Sequence, residues 1–282
     1  MKDIELSLGP AAGISLGSCL LGGQSFRWRE AAPGLYRGAA GGHAAEVFVR
    51  NGELTVRPLA APAGLAGARD FWRQYFALDL DYPALQARFG GSKRLAACVA
   101  AEPGIRVLRQ PFFEALCCFI ISQNNNIPRI TGIVERLCAL CGEPLAPGAG
   151  LYAFPAPGAL AAQTPESLAP LRAGWRAAYL IDAAQKVAGG ALTEQSLRAL
   201  PAADAREALQ AIHGVGPKVA DCTLLYGLGV WTACPMDVWM KRAMKTLFPR
   251  GMPRCARGYE GIAQQYIFEY ARKNLPRGGK TC

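Results

Sequence analysis

Apolar and polar residues alternate along several short segments of the first hundred residues, as they do in half-buried strands. AEVFVR (45–50) and ELTVRP (53–58) show this period of two, and SFRWRE (25–30) and GLYRGAA (34–40) are also strand-like. Between the first two, Asn51-Gly52 predicts a two-residue hairpin, because both central residues need a positive φ. One helical stretch follows, from about residue 68 to 89. Residues 1–107 therefore predict a β-rich domain with an antiparallel sheet.

From about residue 108 the pattern changes, and apolar residues recur at spacings of three and four, which is typical of amphipathic helices. A Pro-, Gly- and Ala-rich stretch, residues 144–158, interrupts it and predicts a surface loop. We therefore expect an α+β chain, with an all-helical domain over residues 108–282. The predicted helices lie in FFEALCCFIISQ (112–123), PRITGIVERLCALCG (128–142), TPESLAPL (164–171), AAYLIDAAQKVAGG (177–190), AREALQAIHG (205–214), PKVADCTLLYGLG (217–229), DVWMKRAMKTLF (237–248) and YEGIAQQYIFEYARKN (259–274).

Composition excludes a disordered chain and argues against a membrane protein. Of the 282 residues 51% are hydrophobic and 18% are charged, which is enough to build sizeable cores. No run approaches the 18 apolar residues of a membrane-spanning helix. Two acidic residues among the first five argue against a secretory signal peptide. The sequence thus predicts a cytoplasmic protein.

The net charge of +10 is concentrated near the end of the chain. Residues 238–282 carry ten Lys and Arg against two acidic residues. Such a segment is either a solvated face or a surface that follows the phosphates of a polyanionic partner. Charge alone leaves both interpretations open.

The ten cysteines do not predict a metal site. Most lie in apolar runs, where cysteine serves as a small hydrophobic residue. Cys138 and Cys141 form the only C-x-x-C pair, and no second pair stands at zinc-site spacing. No four closely spaced cysteines are present to hold an iron–sulfur cluster. We therefore expect no metal and no other cofactor.

The segment LQAIHGVGPKVADC predicts two helices joined by a tight turn. Gly214, Val215 and Gly216 form the turn, and Pro217 suits the first position of the following helix, because its missing N–H needs no partner there. Backbone amides at such a turn bind a phosphate without reading base sequence. An ordinary helical hairpin would show the same spacing.

Lys218 and Asp237 are the candidate chemical groups. Lys218 stands in the first helical turn after the hairpin, where positive helix-end potential and burial favour a neutral, nucleophilic amine. Asp237 precedes an apolar-periodic run and is a good N-cap; its carboxylate is also suited to stabilise a cation or take a proton. A phosphate-contacting lysine and a purely structural cap are the simpler alternatives.

Three separated segments carry a resemblance to a known family. They are GGQSFRW (22–28), SQNNNIPRITGIVERLC (122–138), and GVGPKVADC (214–222) together with PMDVW (235–239). The chain resembles the helix–hairpin–helix glycosylase superfamily and, more closely, the 8-oxoguanine DNA glycosylase/AP lyases. The resemblance implies a TATA-binding-protein-like N-terminal domain, followed by helices with the helix–hairpin–helix near residues 207–228.

The resemblance also implies a role for each site residue. Lys218 matches the nucleophile that attacks C1′ and forms a Schiff base, and Asp237 matches the catalytic aspartate. Gly23 matches the glycine whose carbonyl accepts a hydrogen bond from N7–H of 8-oxoguanine, a proton that guanine lacks. Cys222 and Phe268 match the pair that sandwiches the flipped base. Gln264 matches the residue that hydrogen-bonds to the Watson–Crick edge of the flipped base.

Four further residues match the groups that hold the opened duplex. Asn124 matches the residue that fills the hole left by the flipped base. Arg129 and Arg176 match the arginines that contact the estranged cytosine, and Trp175 stands at the position of a wedge tyrosine. A helix-end cap for Asn124 and a core position for Trp175 are the alternatives.

The sequence therefore predicts a monomeric DNA repair enzyme with no membrane partner. Its substrate would be duplex DNA with 8-oxoguanine paired to cytosine, and it would also cleave the abasic site by β-elimination. A monofunctional alkylpurine glycosylase is an alternative, although such an enzyme needs the aspartate but no amine. A second alternative is a non-catalytic helix–hairpin–helix DNA-binding protein. The absence of iron–sulfur cysteines disfavours an endonuclease III-like enzyme.

Overall fold

A computed structural model describes residues 4–11, 13–59, 65–146 and 148–276. The N-terminal part holds one antiparallel sheet of five strands, in the order β1-β5-β4-β3-β2. Its strands are β1 (Leu6–Pro10), β2 (Trp28–Ala32), β3 (Leu35–Ala40), β4 (His43–Arg50) and β5 (Glu53–Pro58). The predicted hairpin is confirmed, because Asn51 and Gly52 have φ values of 52° and 77° between β4 and β5.

The helices of this part differ from the sequence prediction. They are α1 (Leu16–Leu21), α2 (Leu65–Tyr75), α3 (Tyr82–Phe89) and α4 (Lys93–Ala101). The single helix expected from about residue 68 to 89 is wrong. Ala77 takes a positive φ of 49° after α2, and the Asp81 side chain accepts a hydrogen bond from Ala84 N at 2.9 Å to begin α3.

The remainder of the chain is mainly helical. Its helices are α5 (Phe112–Ile121), α6 (Ile127–Cys141), α7 (Pro157–Ala161), α8 (Arg176–Ala188), α9 (Glu194–Ala199), α10 (Ala202–Gln210), α11 (Pro217–Cys222), α12 (Val238–Leu247) and α13 (Glu260–Asn274). A π-helical turn, Thr223–Gly227, continues α11, and 3₁₀ turns lie at Ala169–Leu171 and Arg254–Ala256. The helix expected over residues 164–171 is wrong, because that segment folds as turns ending in the first 3₁₀ turn.

The loop expected over residues 144–158 is partly ordered. Two short strands, β6 (Pro144–Ala146) and β7 (Leu151–Tyr152), pair antiparallel within it. Helix α7 then begins at the end of the stretch, with Pro157 in its first turn. The prediction of an irregular loop is therefore wrong for the two strands and for the start of α7.

Two hydrophobic clusters build the interior. The smaller one joins the sheet to α1 and α2 and is centred on aromatic residues, with Trp28 Nε1 donating to the Tyr75 hydroxyl at 2.8 Å. The larger one joins the helices from α5 onwards and also takes in α3 and α4, which precede residue 107. The domain boundary at residue 107 stays a prediction.

A buried ion pair ties the two parts together. Arg27, just before β2, donates to Glu114 of α5 at 3.1 Å, and both side chains are at most 5% exposed. Burial raises the pKa of Glu114, and the Arg27 charge opposes that rise. Arg27 also donates to the carbonyl of Tyr152 in β7. The Arg27 side chain thus connects the sheet to both α5 and the β6–β7 hairpin. None of the helices within the described ranges is long and apolar enough to cross a membrane.

Candidate active site

The hairpin between α10 and α11 is held by helix α8. Gly214 has a φ of +78°, and a Cβ added there would lie 2.1 Å from the Tyr179 ring. The His213 N–H donates to Asp182 Oδ2 at 2.7 Å, and its ring packs edge-on against Tyr179 at 4.6 Å. A glycine is therefore required at position 214 both by conformation and by space.

The turn leaves two of its three amides without a protein acceptor. Val215 N–H donates to Ile212 O at 3.0 Å, which closes the turn. Among the described residues no acceptor meets the amides of Gly214 and Gly216. Gly216 is the N-cap of α11, with Pro217 in the first turn as expected. Two amides thus point out of the hairpin and are available to an anion.

Lys218 is held at a defined place by helix α5. Its Nζ donates to Ser122 Oγ at 3.3 Å and lies 5.1 Å from the centroid of the Phe119 ring. Ser122 Oγ itself donates to Phe119 O at 2.8 Å, so the hydroxyl has only acceptor capacity left for the lysine. The half-buried amine is therefore anchored rather than free in solvent.

Cys222 lies close to this lysine, and Asp237 lies close to Cys222. Cys222 follows one helical turn later and is 3% exposed. Burial raises the pKa of its thiol to about 11, the Lys218 charge opposes the rise and the Asp237 charge adds to it. Asp237 also caps α12, because its Oδ1 accepts from Met240 N at 2.8 Å. The predicted cap is confirmed, and the Asp237 carboxylate lies close enough to the Cys222 thiol for its charge to act on that group.

The three predicted base-contacting residues outside α11 lie on two other elements. Gly23 follows α1 with a φ of +91°, and a Cβ there would lie 3.3 Å from Ile127 Cδ1. Gln264 and Phe268 stand one turn apart on α13. Gln264 is buried, and within the described part of the chain its Oε1 has no hydrogen-bond partner. A buried amide oxygen left unpaired is costly, so it is suited to a donor on a ligand.

The four residues expected at the opened duplex cluster at the loop before α6. Asn124 is exposed with a positive φ of 47°, and Arg129 is exposed in the first turn of α6. Trp175 is 50% exposed, and the Arg176 guanidinium stacks on its ring at 4.2 Å. Burial and the nearby charge of Arg129 lower the pKa of Arg176. The structure therefore brings all four together.

Arg176 differs from the others, because its side chain is almost fully buried. Its Nε donates to Gln123 O at 3.0 Å, its Nη1 to Ala173 O at 3.1 Å, and its Nη2 to the carbonyls of Gln123 and Asn124. Only 3% of the residue is exposed. In this structure the guanidinium shapes the loop that presents Asn124.

Comparison with known proteins settles the family. The 8-oxoguanine DNA glycosylase N-terminal domain matches residues 8–116, and the HhH-GPD superfamily of base excision DNA repair proteins matches residues 117–252. An N-glycosylase/DNA lyase OGG1 of Arabidopsis thaliana is 33% identical over 266 residues, which span 88% of this chain and 71% of that protein. The chain belongs to the 8-oxoguanine N-glycosylase/DNA lyase family. The resemblance seen in the sequence is confirmed.

Solved structures of this glycosylase/lyase family agree with the fold. MBOgg1 in complex with a low affinity DNA ligand is 33% identical, with a TM-score of 0.88 over 96% of each chain. The Clostridium acetobutylicum 8-oxoguanine glycosylase/lyase, in complex with double-stranded DNA containing cytosine opposite 8-oxoG, is 32% identical, with a TM-score of 0.84 over 93% of each chain. The expected α+β class, an antiparallel sheet followed by a helix–hairpin–helix unit, is confirmed.

Sequence reasoning missed several residues that shape this glycosylase/lyase site. Ser122 and Phe119 hold the amine, and Tyr179 supports the hairpin. Ser122 belongs to the SQNNN segment that carried the resemblance, but nothing local marks it as a partner of a lysine 96 residues away. Tyr179 shows only the apolar spacing of a helix.

Gly214→Ala is expected to lower the free energy of unfolding by at least about 2 kcal/mol, because the new methyl group overlaps the Tyr179 ring and the backbone is strained. Urea denaturation measures this loss. Gly216→Ala is the matched control: it meets no atom within 4 Å at an ordinary φ of −95° and should change stability by at most about 1 kcal/mol. Equal effects of the two variants would show that Tyr179 does not constrain the hairpin.

Proposed function

We propose that this chain excises 8-oxoguanine paired with cytosine from duplex DNA and cleaves the abasic site through a Schiff base on Lys218. One observation carries the proposal. The Lys218 amine is anchored between Ser122 and the Phe119 ring, the buried Cys222 lies one turn away, and the Asp237 carboxylate lies near the Cys222 thiol. Such an arrangement presents a nucleophile next to a group that stabilises a developing cation.

The proposed reaction begins at the sugar of the damaged nucleotide. The Lys218 amine, in its neutral form, forms a bond to C1′ while the bond from C1′ to the base breaks, and the base leaves with a proton. Asp237 stabilises the positive charge that develops on the sugar. Cleavage of the C1′–O4′ bond opens the ring and gives the Schiff base. In the β-elimination the C2′ proton passes to solvent water while the C3′–O bond breaks and the 3′-phosphate leaves. Water then adds to the Schiff base, which releases the lysine and the sugar aldehyde.

The base pocket is proposed to read the lesion by hydrogen bonds. The Gly23 carbonyl would accept the N7–H of 8-oxoguanine, where guanine would present a repulsive lone pair. Gln264 carries a buried oxygen without a partner among the described residues, which supports its assignment to the Watson–Crick edge. Cys222 and Phe268 would stack on the two faces of the flipped base.

The duplex is proposed to lie across the hairpin and the loop before α6. The amides of Gly214 and Gly216 suit one phosphate, and Val215 would contribute shape rather than a donor. Asn124 would fill the hole, Trp175 would wedge beside it, and the exposed Arg129 would contact the estranged cytosine. The basic segment over residues 238–282 would follow the backbone. We further infer a monomer that acts in the cytoplasm, at the nucleoid in a bacterial cell.

A monofunctional alkylpurine glycosylase is the alternative within the same fold. A water-using enzyme of that kind needs the carboxylate but no anchored amine. The contact of Lys218 with Ser122 and Phe119 supports the bifunctional proposal.

Lys218→Gln is expected to abolish borohydride trapping on a duplex with one 8-oxoguanine opposite cytosine, because no amine remains to form the Schiff base. Lesion binding should persist, since the hairpin and pocket are unchanged. Gel analysis of the protein–DNA adduct measures trapping, and Lys93→Gln, an exposed lysine at the start of α4, controls for loss of charge. An adduct that survives in Lys218→Gln would place the nucleophile elsewhere.

Asp237→Asn is expected to slow base excision by roughly a hundredfold or more, because the amide cannot stabilise a cation or take a proton. Asparagine is itself a good N-cap, so the free energy of unfolding should change by about 1 kcal/mol or less. Single-turnover excision and urea denaturation measure the two effects. Asp81→Asn, which alters the cap of α3, should leave excision normal. Normal excision in Asp237→Asn would make the residue a cap only.

Arg129→Ala is expected to narrow the difference between excision opposite cytosine and opposite adenine, because arginine supplies only donors and cytosine presents acceptors on its exposed edge. Arg176→Ala should narrow it too, because the loop that carries Asn124 loses its support. It should also destabilise the chain by about 1–3 kcal/mol, since the buried bonds of Arg176 to carbonyls are lost. Excision from the two duplexes and urea denaturation test both. An unchanged ratio in both variants would limit the pair to phosphate or loop contacts.

A further inference from the structure

Three glutamines and one tyrosine form buried hydrogen bonds between the walls of the proposed base pocket. Gln24, Gln110, Gln265 and Tyr226 are 0%, 4%, 2% and 5% exposed. Burying polar side chains is costly unless they are paired, and apolar residues of the same shape often stabilise a core as well or better. What the polar residues add is directionality.

The first wall is the loop that carries Gly23. The next residue, Gln24, donates from Nε2 to Arg106 O at 2.9 Å and accepts at Oε1 from Leu108 N at 3.0 Å. Gln110 Nε2 donates to Gln24 O at 2.6 Å. The loop is thereby fixed to the segment that leads into α5.

The second wall is the π-helical turn after Cys222. Gln110 N donates to Tyr226 O of this turn at 2.7 Å. The Tyr226 ring stacks on the Phe119 ring with centroids 5.1 Å apart, and Lys218 Nζ lies at the same distance from the Phe119 ring. Tyr226 therefore supports the aromatic ring beneath the amine.

The third wall is helix α13. The Tyr226 hydroxyl donates to Gln265 Oε1 at 2.7 Å. Gln265 directly follows Gln264, and Phe268 lies on the same helix. A hydrogen bond weakens over a few tenths of an ångström, whereas apolar side chains tolerate sliding. This bond therefore joins α13 at Gln265 directly to the turn that follows Cys222.

We infer that Tyr226 and Gln265 are positioning residues for base excision, which hold the base-reading helix at a fixed distance from the lysine-bearing segment. The inference rests on the proposed function. A lesion that differs from guanine by one oxygen and one proton is told apart only by hydrogen bonds of set geometry. The bond between Tyr226 and Gln265 therefore affects recognition and excision of the base. It does not affect Schiff base formation at an abasic site, where no base is bound.

Tyr226→Phe tests whether the bond affects base excision but not the reaction at an abasic site, because it keeps the ring stacked on Phe119 and removes only the hydroxyl. Two single-turnover rates are compared: excision of 8-oxoguanine opposite cytosine, and borohydride trapping on a duplex with a preformed abasic site. Excision should fall roughly tenfold, the effect of one buried hydrogen bond. Trapping on abasic DNA should keep its wild-type rate, since that substrate presents no base.

Gln265→Met replaces the acceptor by an apolar side chain of similar length. It should likewise slow excision and leave trapping on abasic DNA unchanged. The double variant should fall no further than either single variant, because all three lack the same bond. Tyr36→Phe is the matched control. It removes the hydroxyl of a tyrosine in β3 that is 8% exposed and that lies in the smaller hydrophobic cluster, outside the proposed base pocket, and it should keep both rates.

Two results would overturn the inference. In the first, Tyr226→Phe and Gln265→Met lower the melting temperature but leave the ratio of excision to trapping unchanged. In the second, both reactions fall equally, which would show general disruption of the site. A wild-type chain that traps on abasic DNA but excises no 8-oxoguanine would instead refute the proposed function, and the inference would fall with it.

Discussion

Helix α5 is the support on which the geometry of the site depends. Its residues, Phe112–Ile121, are apolar on nearly every face, and such a helix has to lie inside the molecule. The π-helical turn approaches it so closely that a Cβ at Gly227 would lie 3.1 Å from Ala115 Cβ. The same helix leads directly into Ser122, which holds the Lys218 amine. Because α5 cannot move without opening the core, packing rather than the flexible lysine chain fixes the position of the Lys218 amine.

Local signals predicted most of the fold. Alternation identified β4 and β5, short strand-like runs indicated β2 and β3, and the Asn51-Gly52 turn set one register, since the residues that determine these features are neighbours in the chain. Strand β1 was missed, because it is short and its pairing with β5 shifts register between Ser7 and Gly9. The break between α2 and α3 was missed as well, because apolar spacing continues through residues 76–81 while the backbone turns at Ala77. Periodicity reports which side chains are buried and says little about where a backbone bends.

For the site, residues close in sequence were placed correctly on shared helices, such as Gln264 and Phe268 on α13. Their roles came from the resemblance, not from spacing. What remained out of reach depends on contacts between distant segments: the bond of Lys218 to Ser122 joins residues 96 apart. Likewise, Arg176 is buried because loop carbonyls fold around it. No sequence pattern near that arginine distinguishes a buried guanidinium from an exposed one.

The π-helical turn at Thr223–Gly227 has a further consequence for how this site changes over time. A π turn is equivalent to one residue inserted into an α-helix. Removing that residue would restore the regular helix and rotate the side chains at its end by about 100° with a shift of about 1.5 Å, while Lys218 and Cys222 before it stay in place. The number of residues in this turn therefore determines which way the side chains at the end of the helix point. A gain or loss of one residue re-aims the side chains that face α13 and leaves Lys218 where it was, without any substitution among the residues proposed to contact the base.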